Sequence, residues 1–408
     1  MAQMMTGYDA VAEAVKACDP DVISAYPITP QTDIVEKLSE MKADGEISSE
    51  FIKVDSEFNA ASTCIGASGA GARVFSATCS QGLKLMSEVL FSAPGMRLPL
   101  VLAVANRSLS APLSIWADHT DTFAERDGGM IQFYAEDVQE AMDNMAMAYK
   151  VAEDPEVSLP ALSCLDGFIL THVQERVDVF DQEETKQFLP EREPVHTLDP
   201  SDPISMGPYA RPEHWTETRY MVQQAQLKAK DKIGEAVKDF ANIFDREYGL
   251  DHGGLVDTYR ADDADIILMA LGSVCGTIRY VIDEYREKGV KVGLVRPRVY
   301  RPFPHEEIKK TLKGANVVAV LEKDVSIGYE GGLATDLKSS LYQSDISVPV
   351  INFIVGLAGR DISRDDIGNM IESTRELQDK DPGDLTFEEE LQWYSLKNEL
   401  LPEGVEGQ

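Results

Sequence analysis

Polar residues follow directly on short apolar runs throughout the first part of this chain. Thr29 follows DVISAY, and Asp55 and Glu57 follow EFIKV. Ser80 and Gln81 follow RVFSAT, Asn106 and Arg107 follow LPLVLAVA, and Asp166 follows LPALSCL. In an open parallel sheet, ligands sit outside the carboxyl ends of the strands. If these runs are parallel strands, all of the residues converge on one rim. That rim carries one cation, at least one acid and several hydroxyls and amides, the groups from which a polar ligand site is built.

Each residue also has a plain structural reading. Thr29 before Pro30 fits a helix N-cap with proline at the first helical position, where its missing N–H costs nothing. Glu57 fits the first turn of a helix, where an acid is favoured by the helix dipole. Arg107 fits a surface ion pair. His119, in SIWADHTDTFAERD, has no second ligand at metal-like spacing and reads as a hydrogen-bonding loop residue. Gly272-Ser273, in LGSVCGT, stands at a strand-to-helix junction and is expected to be structural, although such a junction can cradle an anion. The glycines of ASGAGAR precede a strand, the wrong order for a phosphate-binding loop.

The elements that must position these groups alternate apolar runs with amphipathic stretches, the pattern of a parallel sheet flanked by helices. Residues 1–175 form such a block. Residues 176–255 begin with a proline- and acid-rich stretch, VDVFDQEETKQFLPEREPVHTLDPSDPISMGPYARPEHW, which reads as an extended arm. So long an excursion usually wraps or binds something. A helical stretch follows it. A second α/β block spans 256–365, with KVGLVRPRVY as one of its strands, and an acidic helical tail occupies 366–408 and ends in an exposed-looking LPEGVEGQ.

With 408 residues, 43% apolar and 26% charged, the composition is that of a soluble globular protein with room for two or three domains. No run reaches the ~18–20 apolar residues of a membrane span, and MAQMMTGYDA lacks a signal-peptide layout, so a cytoplasmic location is expected. The 70 acidic and 38 basic residues give a net charge of −32. Such a chain repels phosphate backbones, which speaks against nucleic-acid binding. It would repel an acidic redox carrier too, unless another subunit offers the docking surface. The five cysteines include no C-x-x-C pair, so no iron–sulfur, zinc or disulfide framework is indicated, and most are expected to be buried.

Taken with their surroundings, AYPITPQT, VDSEFNAAS, FSATCSQGLKLMSEVLF, RLPLVLAVANRSLSAPLSIWADHTD and RDGGMIQFYAED resemble the α subunit of multi-subunit 2-oxoacid:ferredoxin oxidoreductases, most of all the pyruvate type. DDADIILMALGSV, LVRPRVYRPFP and VINFIVGLAGRDIS resemble the C-terminal domain of the same subunit, which is related to that of transketolases. The resemblance spans roughly residues 5–365. It implies an α/β fold with a pyrimidine-side thiamine diphosphate domain, then a transketolase C-terminal-like domain.

It also implies that thiamine diphosphate is shared with a thiamine-binding β subunit, which holds the diphosphate and Mg2+. No GDG followed at a distance by Asn, the signature of that other domain, occurs here. Further γ and δ-type subunits would carry iron–sulfur clusters and meet ferredoxin or a similar carrier, with coenzyme A as co-substrate in an anaerobic setting. Glu57 matches the glutamate that exchanges a proton with the aminopyrimidine and so prepares the thiazolium carbon for attack. Thr29 and Arg107 match the substrate-binding threonine and arginine, and Pro27 falls where the wall beside the thiazolium lies. A guanidinium suits the carboxylate of a 2-oxoacid, and a hydroxyl can donate to it. Two other readings stay open: the same complex type acting on phenylglyoxylate or a branched 2-oxoacid, and a non-catalytic assembly subunit.

Overall fold

Short β-branched and apolar runs become strands when both faces are covered by helices. In the computed structural model, which describes residues 2–180 and 182–405, seven strands form one sheet. Their spatial order is Val299–Arg301, Ile131–Tyr134, Ala161–Asp166, Val101–Asn106, Val74–Thr78, Val22–Ala25 and Glu50–Lys53. The last six are mutually parallel, so the polar residues after them share one rim. Ile131–Tyr134 was not among the runs picked out in the sequence. It is only four residues long and buried throughout, too short to show a period.

A second sheet has the order Leu391–Trp393, Val350–Ile354, Val317–Glu322, Ile266–Met269, Val292–Pro297 and Val256–Tyr259. Only the last strand runs antiparallel to its neighbour. Leu391–Trp393 comes from the tail expected to be helical, and residues 406–408 of that tail lie outside the described residues.

The run LVRPRVY, read as one strand, is divided. Val292–Pro297 belongs to the second sheet, whereas Val299–Arg301 crosses over and pairs with Ile131–Tyr134 in the first, Val299 opposite Phe133. Arg298 at the crossing is fully buried. Its Nε and the Nη1 of Arg296 reach Glu140 on helix Val138–Ala152, at 2.5 and 2.6 Å. This crossing and the buried ion cluster around Glu140 help to join the two blocks.

The arm is more structured than its composition suggests. Strand Gln174–Asp178 pairs with Ala2–Thr6, and helix Gln182–Phe188 follows. Beyond it the chain lies back on the first block: Leu198 N–H donates to Gly69 O at 2.9 Å, and Arg192 donates to the carbonyls of Ala72 and Ser68. Helix Pro212–Phe244 then packs the apolar face of its C-terminal part, including Val222, Ala229, Ile233 and Phe240, into the core. No helix among the described residues is long and apolar enough to cross a membrane.

Candidate active site

The corner after strand Val22–Ala25 is a turn rather than a helix start. Helix Thr32–Ala43 begins later, with Gln31 at its N-cap position and no side-chain cap. The N–H groups of Gln31 and Thr32 both donate to Ile28 O, at 2.8 and 3.1 Å. Gln31 Oε1 accepts from Ile28 N–H at 3.2 Å, so the glutamine side chain closes the turn. The capping role expected for Thr29 is therefore not realised. Its side chain is exposed and has no partner among the described residues. Pro27, two residues earlier, is exposed as well.

Arg107 leaves the end of strand Val101–Asn106 and turns back under this corner. Its Nη1 donates to Thr29 O at 2.7 Å, its Nε to Ser114 O at 3.0 Å and its Nη2 to Gln81 Oε1 at 3.4 Å. The buried thiol of Cys79 donates to the same Thr29 carbonyl at 3.1 Å. Burial pushes that thiol up to about 12, which keeps its proton in place. The surface ion pair suggested by the sequence does not form: Arg107 is 6% exposed and has no carboxylate within ion-pair distance among the described residues. Every acceptor it meets is a neutral oxygen. A guanidinium has five N–H donors in a planar fork, so each terminal nitrogen keeps one for an anion.

Glu57 opens helix Glu57–Gly69. Ser56 caps this helix by accepting from Asn59 N–H at 3.2 Å, which sets the carboxyl in the first turn. The residue is 7% exposed, yet its carboxyl has no hydrogen-bond partner among the described residues. It faces helix Ser80–Leu90 at Gly82, where an added Cβ would meet Glu57 Oε1 at 2.7 Å and Thr78 Oγ1 at 2.6 Å. The Thr78 hydroxyl is buried and unpartnered too. Buried polar groups are normally paired. An orphaned carboxyl and an orphaned hydroxyl against a bare glycine fit one edge of a polar heteroaromatic ring.

Gln81 links the two parts, since it contacts Arg107 and precedes Gly82. Ser80, before it, holds a positive φ of 49° and donates its hydroxyl to Ser108 O at 2.6 Å. Beneath this strained start lies Asp121, which nothing in the sequence singled out. Its carboxylate accepts from Ser80 N–H at 2.9 Å, Arg107 N–H at 3.0 Å, Asn106 Nδ2 at 2.8 Å and Thr122 N–H at 2.8 Å. Burial pushes Asp121 up to about 6, while these donors pull the other way.

Three residues of the expected rim do other work. Asp55 is exposed and bonded to Asn59. Asn106 is buried and serves Asp121 and Thr122. Asp166 ties the first sheet to the second block: it contacts His119 Nε2 at 2.8 Å, Lys323 Nζ at 2.7 Å and the N–H of Ser273 at 3.0 Å. Burial opposes its charge, but Lys323 and His119 outweigh that and hold it well below the usual carboxylate range. The anion cradled at Gly272-Ser273 is thus an internal one, and His119 is a structural hydrogen-bonding residue. Gly272 has a φ of +74°, and a Cβ there would press on Asp166 and His119 at 3.1 Å.

The family model for pyruvate flavodoxin/ferredoxin oxidoreductase, thiamine diP-bdg, matches residues 13–238. The model for pyruvate:ferredoxin oxidoreductase core domain II matches 264–367. The chain belongs to this family. It is 50% identical to pyruvate synthase subunit PorA of Methanosarcina barkeri, over 98% of this chain and 97% of the relative. It is 40% identical to ketoisovalerate oxidoreductase subunit VorA of Pyrococcus horikoshii, over 97% of this chain and 98% of the relative.

Among solved structures, the fold matches a 2-oxoglutarate:ferredoxin oxidoreductase from Magnetococcus marinus with a TM-score of 0.70 at 18% identity. The match covers 91% of this chain and 65% of that one. A split-gene transketolase matches with a TM-score of 0.54 at 14% identity, over 92% of this chain and all of that one. At such identities the likeness is one of fold. It bears out the two α/β units, one after the other, that the resemblance implied.

Proposed function

We propose that this chain is the α subunit of a thiamine-dependent pyruvate:ferredoxin oxidoreductase. The complex would convert pyruvate, coenzyme A and oxidised ferredoxin to acetyl-coenzyme A, carbon dioxide and reduced ferredoxin. One observation carries the reading: a buried guanidinium, Arg107, holds only neutral oxygens, one of them the backbone carbonyl of Thr29, whose side chain is exposed, and keeps donors free. Family membership and half-identity to a pyruvate synthase subunit support it.

In this reading Arg107 binds the carboxylate of the 2-oxoacid and Thr29 donates to it, while Pro27 forms a wall of the pocket. Thiamine diphosphate, when bound, supplies a carbon nucleophile for the keto group and takes up the electron pair that carbon dioxide leaves behind. Glu57, with Thr78 and the bare backbone of Gly82, holds the edge of its ring, and the free carboxyl of Glu57 exchanges a proton there. Arg107 orients the acid and does not drive the loss of carbon dioxide, because too firm a grip on the ground-state carboxylate would retard that step.

The remaining parts belong to other chains: a thiamine-binding β subunit holding diphosphate and Mg2+, and γ and δ-type subunits carrying iron–sulfur clusters. With a charge of −32, this chain leaves the docking of an acidic carrier to one of them. A second reading, a branched 2-oxoacid as substrate, has the ketoisovalerate relative in its favour at 40% identity, against 50% for the pyruvate one.

A substrate panel on the purified complex tests these readings, following reduction of a low-potential acceptor with several 2-oxoacids, with and without coenzyme A. Preference for 2-oxoisovalerate or phenylglyoxylate over pyruvate would overturn the choice of substrate. Glu57→Gln keeps the shape and removes the titrating proton, so turnover should vanish while the complex still assembles. Undiminished turnover in that variant would remove Glu57 from the chemistry.

A further inference from the structure

Two elements must agree for the site to exist. Helix Ser80–Leu90 brings Gln81 to the guanidinium and Gly82 to Glu57, and the loop after strand Val101–Asn106 brings Arg107. Asp121 lies beneath both and is fully buried. Oδ2 accepts the N–H of Ser80 and the N–H of Arg107, while Oδ1 accepts Asn106 Nδ2 and the N–H of Thr122.

We propose that Asp121 is a positioning residue for the 2-oxoacid, setting the backbone beneath Gln81 and Arg107 so that the guanidinium faces the substrate. The inference rests on the reading of Arg107 as the carboxylate-binding group. Three features support it. The bonds from Oδ2 go to residues on two different elements, so the carboxylate fixes their spacing as well as their conformation. Ser80 sits in the left-handed region, φ +49°, which a serine occupies only where its surroundings hold it. Finally, four N–H donors converge on two oxygens, a demand that only an acceptor-only carboxylate meets. Asparagine would turn an NH2 group against two N–H donors in either orientation and lose two of the four bonds.

Asp121 is fully buried and touches the rim only from beneath, through Ser80, Asn106 and Arg107, so its effect on substrate must pass through Arg107 and Gln81. The test uses the assembled complex with Asp121→Asn. Pyruvate KM should rise roughly ten-fold or more, as displaced binding groups produce, with KM for coenzyme A unchanged. Asp143→Asn is the control for a purely structural loss. That carboxylate is also buried, but it serves Arg246 and Tyr248 and contacts none of Ser80, Gln81, Asn106 or Arg107. Asp143→Asn should lower the melting temperature and leave pyruvate KM alone.

An unchanged pyruvate KM in Asp121→Asn, or an equal rise in Asp143→Asn, overturns the inference. Arg107→Lys, measured in parallel, separates the two levels. A raised KM there without one in Asp121→Asn defeats the positioning role alone, whereas no rise in Arg107→Lys defeats the reading of Arg107. Should Asp121→Asn not assemble, Asn106→Ala decides. It removes one donor behind the carboxylate, and a several-fold rise in pyruvate KM is expected. An unchanged KM in that variant also overturns the proposal.

Discussion

The guanidinium of Arg107 donates through Nη1 to the backbone carbonyl of Thr29, 2.7 Å away across 78 residues of sequence. The same carbonyl accepts the Cys79 thiol, so the AYPITPQT corner is pinned from two directions. The bond fixes the main chain at Thr29 and leaves its side chain unengaged. The guanidinium is thereby held against the main chain of a residue whose own side chain is exposed.

Arg107→Lys tests that geometry. Lysine keeps the charge but has no planar fork, so it cannot hold Thr29 O, Ser114 O and Gln81 Oε1 together and still present donors outward. Loss of one or two charged hydrogen bonds predicts a rise in pyruvate KM of about 10- to 100-fold. Steady-state kinetics on the purified complex would measure it.

Gly82→Ala probes the space beside Glu57. In an ordinary helix this change is favourable by about 1 kcal/mol. Here the new methyl would lie 3.0 Å from Glu57 Cγ and closer still to Glu57 Oε1 and Thr78 Oγ1. The carboxyl must swing away to admit it. Turnover should therefore fall by about 100-fold while thermal unfolding moves little, and a fully active variant would show that the position of Glu57 is not critical.

Glu140 predicts an acid limb in stability. Burial alone would raise its pKa, but the guanidiniums of Arg296 and Arg298 outweigh burial and hold it down at about 2. An ordinary glutamate titrates near ~4.3 in the unfolded chain. The folded state thus binds fewer protons between these values. The stabilisation is fully present above the unfolded value and is lost as pH falls toward 2. Denaturation followed by circular dichroism should show stability falling over that window. Glu140→Gln should cost roughly 3–5 kcal/mol near neutral pH, because two buried arginines lose their shared anion, and should flatten the acid limb.

Much of the fold was legible because hydrophobic period is a local property. The apolar runs from DVISAY to LPALSCL read as strands, and five of the seven strands of the first sheet coincide with them to within a residue at their C-terminal ends. Their parallel pairing put Thr29, Glu57, Gln81 and Arg107 on one side without further information. Nothing in the sequence marks Ile131–Tyr134 as a strand or shows that LVRPRVY divides. A buried run carries no alternation to mark where one strand ends and another begins, and which sheet it joins depends on what lies opposite.

The site divides in the same way. Residue type and order established a rim with one cation, and the resemblance of long motifs named Glu57, Thr29 and Arg107. Tertiary structure decided what those residues touch. Thr29 is freed from capping because Gln31 closes the turn, and Arg107 is left unpaired because its neighbours are carbonyls. Asp121 became visible only in three dimensions, since its donors come from Ser80, Asn106 and Arg107, 14 to 41 residues away, as well as from adjacent Thr122. A sequence states which groups can donate and accept, but which donor meets which acceptor is set by the path of the folded chain.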